Sequence, residues 1–282
     1  ADITVDRLAA DRYMIVSSAT THSRDLAWIE RHLVSADRVA VTDVTSAYAV
    51  LSVQGPRSRD LLASISDADL SNAAFPFLTS QEISIGYAPA IAKRVTFVGE
   101  LGWELYIPSE FAQGAFDTLT EAGQEFGLRP AGYHALEHLR CERAYREFGL
   151  DLAPDDTPFE AGLGFSVKMD KPGGFIGRDA LVSQRGKVLN KRLVMFKLAD
   201  PEVLLFHDEL IRLDGHIVGH ISSGAYSFTL GRSVGMGYVH QPDGVSLELI
   251  NNARFEIEIA CERYPAAASL QAFFDPAGER LK

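Results

Sequence analysis

A chain of 282 residues is long enough for one or two domains. Hydrophobic residues make up 46% and charged residues 23%, the composition of a folded globular protein, which excludes disordered, collagen-like and low-complexity classes. No run approaches the ~20 continuous apolar residues of a membrane helix. The net charge of −11 repels phosphate backbones, so neither a membrane nor nucleic acid is expected as a partner. Two cysteines, Cys141 and Cys261, cannot staple a chain this long and fit a reducing, cytoplasmic compartment.

The first residue is Ala1, and Asp2-Ile3-Thr4-Val5 already alternates like a strand under way, which suggests a piece of something longer. Residues 3–8 and 13–17 read as a hairpin turning near Ala9-Ala10-Asp11. Thr20 or Thr21 can cap a helix with Leu26, Ile29 and Leu33 on its apolar face. Residues 38–44 and 48–53 read as strands, Gly55-Pro56 breaks the second, and 58–65 reads as a short helix. Strands follow at 81–86, 90–97 and 103–107, then a helix from Ser109 to about Glu125, stopped near Gly127. A longer helix is expected from Gly132 to Phe148.

After Gly186 strand-like runs succeed one another at 192–198, 209–213, 216–222, 234–239, 247–249 and 255–260, with no convincing helix between them. Turn residues such as Asp214-Gly215 and Pro242-Asp243-Gly244 separate them, favouring a small antiparallel barrel or sandwich. The expected organisation is therefore an α+β domain over 1–185 and a β-barrel domain over 186–282.

Several motifs have ordinary readings. His134-Ala-Leu-Glu-His138 matches an inverted zinc-peptidase pattern, but five residues with two free positions are weak, and a plain helix with two histidines is preferred; no metal is expected. The glycines between Gly231 and Gly237 lack a P-loop ending and read as turn plus strand. The acidic run Asp151 to Asp156 does not fit an EF-hand and reads as a solvated loop. Phe97-Val-Gly-Glu-Leu-Gly-Trp-Glu104-Leu-Tyr106 is more informative. A carboxylate at Glu104 past a glycine turn can take paired hydrogen bonds from a flat heterocycle, and Phe97 could stack on that ring. A solvated glutamate on an edge strand is the commoner outcome of such a pattern.

These motifs resemble those of the folate-binding aminomethyltransferases, whose type member is the glycine cleavage T-protein. The likeness spans nearly the whole chain: Leu51-Ser-Val-Gln-Gly-Pro56, the stretch just quoted, Leu139-Arg-Cys-Glu142, Thr157-Pro-Phe-Glu-Ala-Gly-Leu163, Phe175-Ile-Gly-Arg-Asp-Ala-Leu181 and Thr229-Leu-Gly-Arg-Ser-Val234. Within the family it is most similar to the C-terminal part of the flavin-dependent dimethylglycine and sarcosine dehydrogenases, through Asp2-Ile-Thr-Val5 and Gly235-Met-Gly-Tyr-Val239.

The resemblance implies an aminomethyltransferase folate-binding fold, N-terminally incomplete, followed by the barrel. It implies tetrahydrofolate as cofactor, with Asp2 the catalytic aspartate. Glu104 would grip the pterin edge, Phe97 would stack in place of the family's Tyr, and Thr4, Val16 and Ser18 would line the pocket. Ser18 replaces an Asn of the T-proteins, and Leu136 stands where they carry a folate-binding Arg. The implied partners are folate, a small N-methylated amine or its iminium, and an attached or separate flavin oxidoreductase domain. No G-x-G-x-x-G occurs, so FAD is expected only outside this chain. The implied product is 5,10-methylene-tetrahydrofolate. The alternatives are a non-catalytic folate-binding or regulatory module and a folate-dependent methyltransferase or demethylase. The iron–sulfur-repair relatives are discounted, because Lys171-Pro-Gly-Gly-Phe175 lacks their cysteine.

Overall fold

The computed structural model describes residues 1–35 and 38–282. It divides into two compact units, Ala1–Ala131 with Gly278–Lys282, and Gly132–Ala277.

The first unit opens with the hairpin β1 (Ile3–Arg7) and β2 (Tyr13–Ser17), then α1 (His22–Arg31). Next come β3 (Tyr48–Gln54), α2 (Ser58–Ile65), β4 (Ser80–Ile85), β5 (Ala88–Lys93), β6 (Gly102–Pro108) and α3 (Ala112–Phe126). Strands β3 to β6 form one antiparallel sheet in the order β3-β6-β5-β4. Period-2 alternation sends Trp103, Leu105 and Ile107 to one face, where they pack with Val53, Ala92 and Ile85 against Leu61 and Leu62 of α2 and Leu119 of α3. Helix α3 stops because Gly127 takes the left-handed conformation (φ 73°) and Leu128 N–H closes on the Gly123 carbonyl at 2.9 Å.

The second unit holds α4 (Tyr133–Glu142), α5 (Arg178–Gln184), β7 (Lys191–Leu198), β8 (Leu210–Leu213), β9 (His216–Ser227), β10 (Arg232–His240), α6 (Leu247–Asn252), β11 (Phe255–Ile259) and β12 (Glu262–Ser269). Six strands close into an antiparallel barrel, β10-β7-β12-β11-β8-β9, which leaves no free edge. Val194, Phe196 and Leu198 of β7 point inward onto Ile211, Ile221 and Ile257. Leu193 and Met195 point outward, where Cys141 and Ala144 cover them. Two covered faces explain why β7 reads as a near-continuous apolar run.

Several expectations are corrected. Residues 38–44 form no strand: Val39, Val41 and Val44 are exposed, and no described strand pairs with them. Asp43 there accepts from Thr45 N–H and starts a 3-10 turn instead. Strand β5 ends at Lys93 rather than 97, because the Thr96 hydroxyl takes the Val98 and Gly99 N–H groups and folds a turn. Helix α4 ends at Glu142 rather than 148, with Ala144 left-handed (φ 55°) and Tyr145 N–H bonded to the Arg140 carbonyl. Residues 247–249 are helical, since Ser246 caps α6 through Leu249 N–H. Strand β12 had no counterpart in the expected runs.

Candidate functional site

In the β1–β2 hairpin Thr4 lies opposite Val16 and Asp6 opposite Met14. Alternation therefore places Thr4, Asp6 and Val16 on one face, with Asp2 and Ser18 one register step further along it. The opposite face carries Ile3, Val5, Tyr13 and Ile15, all exposed. Asp6 fixes where the first face looks: its Oδ2 lies 2.5 Å from Lys93 Nζ at the end of β5. The Lys93 side chain is only 1% exposed.

Lys93 belongs to the second face of the sheet, the one that α2 and α3 leave uncovered. Across β5, β6 and β3 it pairs with Glu104, which pairs in turn with Ser52. Glu104 is half-buried on the central strand β6, not on an edge. The Tyr106 hydroxyl donates to Glu104 Oε2 at 2.7 Å. Among the described residues nothing donates to Oε1, so one carboxylate oxygen keeps its acceptor capacity. Burial, followed by the bond to Glu104, pushes the Tyr106 phenol well above its ordinary range, so it stays a donor. Lys93 Nζ sits 4.1 Å from the centre of the Tyr106 ring.

Glycine at 102 lets this strand pair closely: a Cβ there would collide with the Val53 carbonyl oxygen. Phe97 is half-buried in the loop that joins β5 to β6. Asp2 has solvent on one side, yet its surroundings desolvate it enough to raise its carboxyl above the usual 3.8, the Ala1 amino group opposing.

The structure thus brings Thr4 and Val16 side by side and ties their hairpin to the Glu104 strand through Asp6 and Lys93. Those two residues and Tyr106 escaped the sequence reading. A lysine ending the apolar run Ala88-Pro-Ala-Ile-Ala92 was the available signal, as was an aspartate four residues after Asp2.

The second unit holds a different polar centre. Asp151, expected in a solvated loop, is completely buried. It accepts from Arg140 Nη1 at 2.6 Å, from Ser222 Oγ and from Glu147 N–H. Asp151 is drawn inward because the Arg140 guanidinium, itself 1% exposed, needs an anion, whereas Asp155 of the same run stays exposed. Arg140 also holds Glu137, and Glu147 has its carboxyl raised by burial and then by the neighbouring Glu137 charge. Of the two histidines on α4, His138 places Nδ1 3.0 Å from the Tyr226 carbonyl and stacks on Phe228. Among the described residues no group of three or more His, Cys, Asp or Glu gathers as a metal site would. An open cleft of about 580 Å³, lined by Lys171, Phe175 and Arg178, contains none of the expected site residues.

A half-buried carboxylate on the polar face of an antiparallel sheet in one unit, and a closed antiparallel barrel in the other, define a class that sequence comparison identifies directly. The family model described as the GCVT N-terminal domain matches residues 1–171, and the glycine cleavage T-protein C-terminal barrel domain matches 191–275. The chain belongs to the glycine cleavage T-protein family of aminomethyltransferases. It is 41% identical over its whole length to 4-methylaminobutanoate oxidase (formaldehyde-forming) of Paenarthrobacter nicotinovorans, of which it covers 33%. It is 40% identical over 85% of its length to human mitochondrial sarcosine dehydrogenase, covering 26% of that protein. The chain therefore spans about a third or less of these relatives. In fold it matches the crystal structure of the glycine cleavage system aminomethyltransferase T of Bartonella henselae. That match has a TM-score of 0.79 at 22% identity, over 99% of this chain and 72% of the other.

Proposed function

We propose that this chain binds tetrahydrofolate between the Asp2 face of the hairpin and the polar face of the sheet. There it would promote transfer of a one-carbon unit from an N-methylamine-derived iminium: two folate nitrogens bond to the carbon, the bond to the amine nitrogen breaks, and of the two folate N–H protons one leaves on the released demethylated amine and one is taken by the base, giving 5,10-methylene-tetrahydrofolate. The observation that carries the reading is Glu104, a carboxylate fixed by Tyr106 through one oxygen and open at the other. A reduced pterin presents adjacent N–H donors, and an oriented, half-buried carboxylate is the acceptor that suits them. Phe97 in the adjoining loop supplies an aromatic face, without the hydroxyl of the family's usual Tyr. When bound, tetrahydrofolate supplies the nucleophilic amine nitrogen that captures the carbon.

The chain's own part is to bind, orient and accept a proton. Asp2, with its carboxyl raised by desolvation, is a better base than an ordinary aspartate and is the proposed proton acceptor. Its negative charge also stabilises an approaching iminium. Thr4, Val16 and Ser18 wall the hairpin side and hold the reacting atoms in place. Among the described residues every strand pairing of the hairpin, the four-stranded sheet and the barrel is antiparallel, unlike the parallel βαβ unit on which dinucleotides such as FAD commonly bind. Oxidation of the amine is assigned to a flavin-bearing domain or partner.

Replacing Asp2 with Asn tests the role. With an N-methylamine oxidase generating iminium in situ, the rate of folate-dependent capture should fall by about 100-fold or more, the usual contribution of a general base. Calorimetric binding of 5-formyltetrahydrofolate should change by no more than about 3-fold, since the substitution keeps shape and removes only charge. Capture at the wild-type rate in Asp2→Asn rules out the role.

A further inference from the structure

Lys93 takes no part in the chemistry just described, yet it is the most deeply buried ammonium among the described residues. Its side chain is 1% exposed at the end of an otherwise apolar strand. A methionine would fill that position with no charge to desolvate, whereas an ammonium at this depth is costly unless well compensated. Two groups compensate it. The first is Asp6, whose Oδ2 lies 2.5 Å away on the strand that carries Asp2 four residues earlier. The second is the face of the Tyr106 ring, 4.1 Å away, and the hydroxyl of that ring is bonded to Glu104.

We propose that Lys93 is a positioning residue that sets both carboxylates of the folate site from one buried cation. Through Asp6 it seats the hairpin that carries Asp2. Through the Tyr106 ring it polarises the hydroxyl that holds Glu104. An ion pair shielded from water is stronger than the same pair in solvent, so it can hold a two-stranded hairpin that is marginally stable by itself. A cation over a phenol ring withdraws electron density and makes its O–H a stronger donor to a carboxylate. Tyr106 would thus fix Glu104 in the rotamer that meets the pterin edge. The proposal rests on the reading of this face as a folate site.

The test is calorimetric titration of the full chain with 5-formyltetrahydrofolate, in wild type and in Lys93→Met, Tyr106→Phe, the double variant of these two, and Lys93→Met with Asp6→Asn. The last removes both charges together, so it remains informative if Lys93→Met alone does not fold; circular dichroism checks folding in each. Stoichiometry reports the folded fraction, and the dissociation constant reports positioning, so loss of stability alone moves the first and not the second. Lys93→Met and Tyr106→Phe should each weaken binding about 10-fold, the worth of one charge-assisted hydrogen bond. Their combination should be little worse than either alone, because both act on one bond. Lys93→Met with Asp6→Asn should keep the roughly 10-fold loss.

Binding within about 2-fold of wild type in that charge-free pair overturns the proposal. Additive losses of about 100-fold in the Lys93→Met/Tyr106→Phe double variant overturn the route through Tyr106. If wild type itself does not bind, the folate reading falls and the proposal with it. If wild type binds and Glu104→Gln weakens binding while the charge-free pair has no effect, only the proposal falls.

Discussion

The barrel and the four-stranded sheet are both antiparallel, and they bury opposite kinds of surface. Inside the barrel Val194, Phe196, Leu205, Ile221 and Ile257 meet one another with at most 1% exposure, and among the described residues no barrel strand carries a buried charged side chain. The sheet buries one apolar face under α2 and α3, and on the other it buries Lys93 and Tyr106 around a half-exposed Glu104. A close-packed apolar interior is stabilised by the area it buries. A polar face that α2 and α3 leave open and the hairpin meets through Asp6 gives up apolar burial for oriented donors and acceptors, as binding sites commonly do. On the proposed reading stability and chemistry are thus separated in the molecule, and each should respond to substitution without the other.

The largest expected effect is on the barrel. Phe196→Ala removes a fully buried ring that packs edge-on against Phe255 at 5.5 Å between ring centres. It should cost about 3–5 kcal/mol of stability, read as a lower midpoint in urea with an unchanged m-value. The folded fraction should bind 5-formyltetrahydrofolate as wild type does. A changed affinity would break the separation between barrel and site.

A smaller effect concerns Asp2 and pH. Its raised carboxyl means that the ionised base is present only above a pH higher than the ordinary 3.8, so the acid limb of the capture rate should lie above that value and vanish in Asp2→Asn. The linkage sign is opposite for stability. A carboxyl raised in the folded state contributes stability below its unfolded pKa, and that contribution is lost as pH rises through the folded value. Urea midpoints of Asp2→Asn and wild type should therefore diverge in that window, with the variant relatively the more stable at higher pH. An acid limb at or below 3.8 would remove the case for Asp2 as a tuned base.

The same contrast explains what was legible in the sequence. Barrel strands announced themselves by apolar runs between turn residues, and β7, β8, β10 and β11 fall close to where those runs lie. Helix α2 coincides with its expected span, because Gly55-Pro56 fixes its start. Two errors came from reading pattern without partners. Residues 38–44 alternate but have no described neighbour to pair with, and 247–249 are short enough that the Ser246 cap decides for helix.

Within the site, Glu104 and Phe97 stood out by motif, whereas Lys93 and Asp6 did not, since their meaning comes from a contact across 87 positions of chain. Asp151 was misread for a related reason. An acidic run looks solvated until the buried Arg140 that it serves is known.

The central claim is that Glu104 on the polar face of the sheet grips the pterin. The most direct measurement is calorimetry of Glu104→Gln against 5-formyltetrahydrofolate. The substitution keeps the shape and leaves an oxygen for the Tyr106 hydroxyl, but removes the charge. If the carboxylate accepts pterin N–H groups, the dissociation constant should rise by about 10- to 100-fold at unchanged stoichiometry, the range for hydrogen bonds to a charged group. A dissociation constant within about 2-fold of wild type would contradict the claim and move the folate site elsewhere.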